Sequence, residues 1–129
     1  MPLIRCDYSD QYMNEDQLVE INKVVYDVSA KLCGYSENDA QDKISIFNSK
    51  YSPFDHSTAA AEIEIRAKKS EFDNEVISPN EVRKKWLTSY ESALVALAKE
   101  IELGAPIIFT VTFQDWEVVV ISSSGSVPN

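Results

Sequence analysis

The sequence predicts an α+β fold of tandem βαβ units, forming a four-stranded sheet with two helices on one face. Three observations predict it. Residues 59–68 alternate, with Ala61, Ile63, Ile65 and Ala67 against Glu62, Glu64, Arg66 and Lys68, the period of a strand with one apolar face. Two longer stretches carry apolar residues at helical spacing: Leu18, Ile21, Val25, Val28 and Leu32 in one, Val82, Trp86, Tyr90, Leu94, Leu97 and Ile101 in the other. Each of these stretches lies between strand-like runs, so the order strand, helix, strand occurs twice.

Residues 2–8 form the first strand, an apolar-rich run bounded by Ser9-Asp10. Asn14-Glu15-Asp16-Gln17 fits an N-cap with Gln three residues on, and Gly34, just past Cys33, suits the left-handed residue that ends a helix. Residues 35–42 are polar, and residues 43–51 alternate as a second strand that stops at Pro53. After the third strand and a charged loop, Ser78-Pro79-Asn80-Glu81 combines a capping Ser, Pro at the first helical position and Glu to complete a capping box; Gly104 closes the long helix it opens. Residues 105–121 read as the last strand, with Ile107, Phe109, Val111 and Phe113 against Ile108, Thr110, Thr112 and Gln114. The chain is therefore one domain over 1–121, in halves at about 1–52 and 58–121, with a flexible or partner-ordered tail over 122–129.

Right-handed crossovers put both helices on one side of the sheet. The other side then carries Glu62, Glu64, Arg66, Thr110, Thr112 and Gln114, mixed with Phe47 and Ile108. It is too polar for a buried core and a little apolar for open water. It reads equally as the solvated face of a monomer and as the inner wall of a closed oligomer.

The balance of 12 Lys+Arg against 21 Asp+Glu, a net charge of −9, repels phosphate backbones and anionic lipids. No nucleic acid and no membrane is expected as a partner. No apolar run approaches the roughly 20 residues of a membrane span, and the opening Met-Pro-Leu-Ile-Arg-Cys-Asp is neither a signal nor a transit peptide. Cys6 and Cys33 have no C-x-x-C spacing and read as free thiols of a cytoplasmic protein. With His56 the single histidine, and without a Gly-rich phosphate loop or a G-x-S-x-G, neither a metal nor an organic cofactor is expected.

One residue can carry chemistry by its position. Pro2 follows the initiator Met, and a small second residue permits removal of that Met. The product is a secondary amine, which burial beside Leu3 and Ile4 would keep neutral near pH 7. Such an amine can take an acidic proton α to a carbonyl and return it elsewhere. A Met-Pro start is commonplace by itself.

The run Pro2-Leu3-Ile4-Arg5-Cys6-Asp7-Tyr8-Ser9-Asp10 resembles the start of the 5-carboxymethyl-2-hydroxymuconate isomerases, within the tautomerase superfamily, and the likeness in pattern extends over roughly 1–120. The resemblance implies a homotrimer oligomerising through the sheets, with Pro2 as catalytic acid/base acting on a small carboxylate-bearing keto or hydroxydienoate substrate. Where that family presents arginines, this chain has none in Lys43-Ile44-Ser45-Ile46-Phe47 and reads Arg66-Ala67-Lys68-Lys69 after the third strand. The substrate-binding candidates are therefore Lys43, Arg66 and Lys69, with Lys68 beside them. A lysine lacks the bidentate grip of a guanidinium.

Other side chains have plainer readings. Arg5 and Asp7 share a strand face and pair with neighbours; Tyr8, Tyr12 and Tyr51 are candidate donors to an enolate oxygen; Trp116 and Glu117 finish an interface. Cys6 is inert in a strand interior, and His56 sits in a loop without a partner. The competing functional reading is a non-enzymic small-molecule-binding or regulatory module of βαββαβ type. Direct parallel pairing of the first two strands would favour the tautomerase-like fold over it.

Overall fold

The computed structural model describes residues 2–52, 55, 57–68, 79–114, 119–122 and 125–128. In chain order the elements are β1 (Leu3–Tyr8), α1 (Glu15–Cys33), α2 (Glu37–Lys43), β2 (Ser45–Lys50), β3 (Ala61–Lys68), α3 (Pro79–Ile101), β4 (Ile107–Gln114), β5 (Val119–Ser122) and β6 (Gly125–Pro128).

The capping box sets the start of α1. Asn14 Oδ1 accepts the Gln17 N–H at 2.8 Å, while Gln17 Oε1 accepts the Asn14 N–H at 2.9 Å. The same amide then donates from Nε2 to the Ile101 carbonyl at 3.1 Å, tying the start of α1 to the end of α3. Those two helices run antiparallel. Gly34 ends α1 at φ 67°, where a side chain would be strained.

The helical face of α1 buries Ile21 and Val25, with Leu18, Val28 and Leu32 packed at its margins. α3 buries Val82, Trp86, Tyr90, Leu94 and Leu97. Trp86 meets Phe113 edge-on, with ring centroids 5.1 Å apart. Both helices cover Ile4, Cys6, Ile63 and Ile65, each at most 2% exposed.

The sheet order is β2-β1-β3-β4. β1 and β2 pair directly in parallel, as do β3 and β4, and β1 and β3 pair antiparallel across the middle. In a split βαβ another strand would separate the first parallel pair. The registers assemble three rows on the open face: Ser45–Leu3–Arg66–Thr112, Phe47–Arg5–Glu64–Thr110 and Ser49–Asp7–Glu62–Ile108. Phe47 and Ile108 are the large apolar side chains exposed there, at 59% and 50%.

Four expectations need correction. A third helix, α2, occupies residues read as polar connection: Ser36 caps it by accepting the Asp39 N–H at 3.2 Å, and Ala40 is its buried contact. One buried residue in seven leaves no helical period to read. Lys43 is thus the last residue of α2 rather than the first of the second strand, which starts at Ser45. At the end of α3 the left-handed position belongs to Glu102, at φ 52°, and not to Gly104; this costs a residue with a Cβ about 1 kcal/mol. The last strand ends at Gln114, and β5 and β6 form a separate antiparallel ribbon. The capping Ser78 lies outside the described residues, although Pro79 does open the helix.

One buried bond joins the helices. Ser29 spends its proton on the Val25 carbonyl at 2.7 Å, so the Tyr90 hydroxyl donates to Ser29 Oγ at 2.6 Å. Ser29→Ala leaves that phenol proton without an acceptor and should lower stability by about 1–3 kcal/mol in urea unfolding. Tyr90→Phe leaves Ser29 still bonded to Val25 and should cost less. Equal losses would contradict this donor assignment.

Candidate functional site

β1 is a central strand, and Pro2 immediately precedes it. The Pro2 carbonyl accepts the Ser45 N–H at 3.3 Å, and its side chain is less than 2% exposed. Continuing the two registers by one residue sets Pro2 opposite Ile44 on one side and Ala67 on the other. By strand alternation it shares the helix-covered face with Ile4 and Cys6.

Lys43 and Arg66 reach this end of the sheet by different routes. Lys43 stands two residues before Ser45, at the junction of α2 and β2. Its Nζ lies 5.3 Å from the ring centroid of Tyr35, within cation–π range. Arg66 pairs with Leu3 on the opposite, open face, and its Nε donates to Glu64 Oε1. The sheet therefore separates Arg66 from the face that Pro2 occupies, while Lys43 closes the β2 side. Lys69, His56, Trp116 and Glu117 lie outside the described residues, as does the side chain of Lys68.

Cys33 and Tyr35 belong to the same end and were not among the candidates. A helix linking parallel strands returns to the level where the first began, so the residues after α1 come back toward Pro2. The Tyr35 N–H donates to the Ala30 carbonyl at 2.9 Å, which fixes the residue against the helix end. Burial, then the neighbouring Cys33 that takes its hydrogen bond, push the Tyr35 hydroxyl up to about 12, so it is a neutral donor at physiological pH. Burial also raises the Cys33 thiol, opposed by the positive amino terminus and by the bond from Tyr35.

A second group of candidates gathers roughly 16 Å away at the other end of β1. Arg5, Asp7 and Tyr51 line a polar cleft of about 410 Å³ with Ser49, Lys50, Asp55, Ser57 and Glu62. Tyr51 is displaced upward, chiefly by burial. Lys50 and Asp10 pair at 3.7 Å while exposed, a contact of little energetic weight. Among the described residues no group of three His, Cys, Asp or Glu is arranged to hold a metal ion, and no helix is long and apolar enough to cross a membrane.

No protein-family model and no curated protein sequence matches the chain. Solved structures do. A 5-carboxymethyl-2-hydroxymuconate delta-isomerase, 10% identical, aligns over 97% of this chain and 89% of its own with a TM-score of 0.59. A fused 4-OT symmetric trimer, 11% identical, covers 95% and 93% with a TM-score of 0.56. A macrophage migration inhibitory factor-like protein from Entamoeba histolytica, 14% identical, covers 88% and 89% at 0.51. The chain has the fold of these tautomerase-superfamily structures.

Cys6 supplies a check on the interior of this strand. Its thiol is 2% exposed and pushed up to about 12, first by burial and then by Asp7. Between the ordinary value of 9.0 and about 12 the unfolded chain binds fewer protons than the fold, so this part of the stability is complete below pH 9 and falls as pH rises. The urea midpoint should drop between pH 9 and 11, and by less in Cys6→Ala. Iodoacetamide at pH 8 should leave Cys6 unmodified until denaturant is added.

Proposed function

We propose that this protein is an isomerase that moves a proton within a small keto or hydroxydienoate acid, with the amine of Pro2 as acid and base. The observation that carries the reading is the position of Pro2: a proline at the buried end of a central strand, with Lys43 at the adjoining helix–strand junction. The shared fold with a delta-isomerase supports it.

Removal of Met1 frees a secondary amine, and its apolar surroundings disfavour the charged form. The neutral nitrogen takes a proton from the carbon α to the carbonyl, and the electron pair moves into the π system as a dienolate. Lys43 receives the substrate carboxylate; Arg66 and Lys69 are the further cations proposed to bind substrate, for which the reach from a neighbouring copy matters. The prolinium then returns its proton to a carbon further along the dienolate. Atoms and charge balance without a metal or organic cofactor. Closure of a homotrimer through the open faces, which would cover Phe47 and Ile108, belongs to the same proposal, as does a cytoplasmic setting.

One observation favours the non-enzymic binding module: the stretch Lys43-Ile44-Ser45-Ile46-Phe47 offers no arginine to hold a carboxylate. Intact-mass measurement separates the readings, because the Pro2 nitrogen is an amide while Met1 remains and an amine only once it is lost. The proposed enzyme should be isolated without Met1 and should speed ketonisation of an enol 2-keto acid such as phenylpyruvate, followed in the ultraviolet. Pro2→Ala should lower kcat by about 100-fold or more, the scale of a lost general base. Equal rates for the two proteins would end the assignment.

A further inference from the structure

Lysine is a poor substitute for arginine wherever a carboxylate must be held in one orientation. Its ammonium is a point charge on a flexible stem of four carbons, without a fork to match two oxygens. At the sheet end where Pro2 lies, Lys43 is exposed and no salt bridge among the described residues holds it. Something else must restrict it if it is to orient a substrate beside the amine.

The geometry points to Tyr35 as the positioning residue: we infer that its ring holds the Lys43 ammonium at the Pro2 end of the sheet, preset to receive the carboxylate of a substrate. The inference rests on the isomerase reading and specifies how its binding cation is placed. Three observations carry it. The Lys43 Nζ stands 5.3 Å from the ring centroid of Tyr35. The residue is held at its backbone, by the Tyr35 N–H to the Ala30 carbonyl at 2.9 Å, and at the far end of its ring, by its hydroxyl to Cys33. Lys43 is the last residue of α2, one position before Ile44, which the β1–β2 register, continued by one residue, sets opposite Pro2. Tyr35 thus links the end of α1 to the end of α2, at the sheet end where Pro2 lies. Its face, not its hydroxyl, is the working part, because a quadrupole attracts the ammonium whether or not the ring bears an oxygen.

The test separates ring from hydroxyl and placement from chemistry. In the NMR spectrum of the wild type the Lys43 Cε protons should be shifted upfield by the ring; Tyr35→Phe should keep that shift and Tyr35→Leu should abolish it. With an enol 2-keto acid, Tyr35→Leu should raise KM by about two- to fivefold at nearly constant kcat, and Tyr35→Phe should restore it. In a Lys43→Met background the Tyr35→Leu change should be silent. Absence of the upfield shift in wild type overturns the inference. So does an unchanged KM in Tyr35→Leu when Pro2→Ala has lost turnover, a result that leaves the isomerase reading standing. Absence of turnover in wild type removes that reading and this inference with it, even if the shift is seen.

Discussion

The antiparallel pairing of β1 with β3 is the constraint from which the rest of the molecule follows. Each half of the chain makes its own parallel pair, and a parallel pair alone buries too little to stand in water. Register fixes how the halves join: Ile4 meets Ile65 and Cys6 meets Ile63, so all four side chains fall on the side covered by α1 and α3. A slip of one residue would turn Glu62, Glu64 and Arg66 inward. The same register makes β1 internal, and this is why the residue before it, Pro2, is enclosed on both sides.

Charge is distributed to match. Among the described residues no charged side chain is buried, and the buried polar ones are Ser9 and Ser29. On the open face Arg5 stands in the row of Glu64, and Arg66, one row along, donates to the Glu64 carboxylate. Lys43 differs because α2 ends there and delivers it to the sheet edge beside an aromatic ring rather than a carboxylate. A site for an anion is best built where a cation is not already spent, and the proposed use of Lys43 follows from that difference.

Much of this was legible in the residues. The alternation of 61–67 and the spacing of Val82, Trp86 and Tyr90 are strong because each face is either buried or wet with few exceptions. The capping box at Asn14 was readable because two backbone donors need partners at a helix start and the sequence offers both. α2 was hidden because it rests on a cap and one buried Ala40 instead of a periodic face. The end of α3 was misplaced because Glu102 accepts a left-handed φ that glycine would take more readily. At the site, Pro2 and Lys43 could be named from the chain, but Tyr35 could not. Its role depends on where a helix returns relative to a strand, and only the direct parallel pairing of β1 and β2 supplies that.

Catalysis by Pro2 would depend on the state of one nitrogen. With proline labelled by 15N, titration of the terminal amine by NMR measures it without a substrate. A catalytic Pro2 should be a free prolyl amine that loses its proton at a lower pH than the same amine in an unfolded peptide, since apolar surroundings resist charge. A nitrogen still acylated by methionine, or one that titrates as it does in the peptide, would contradict it.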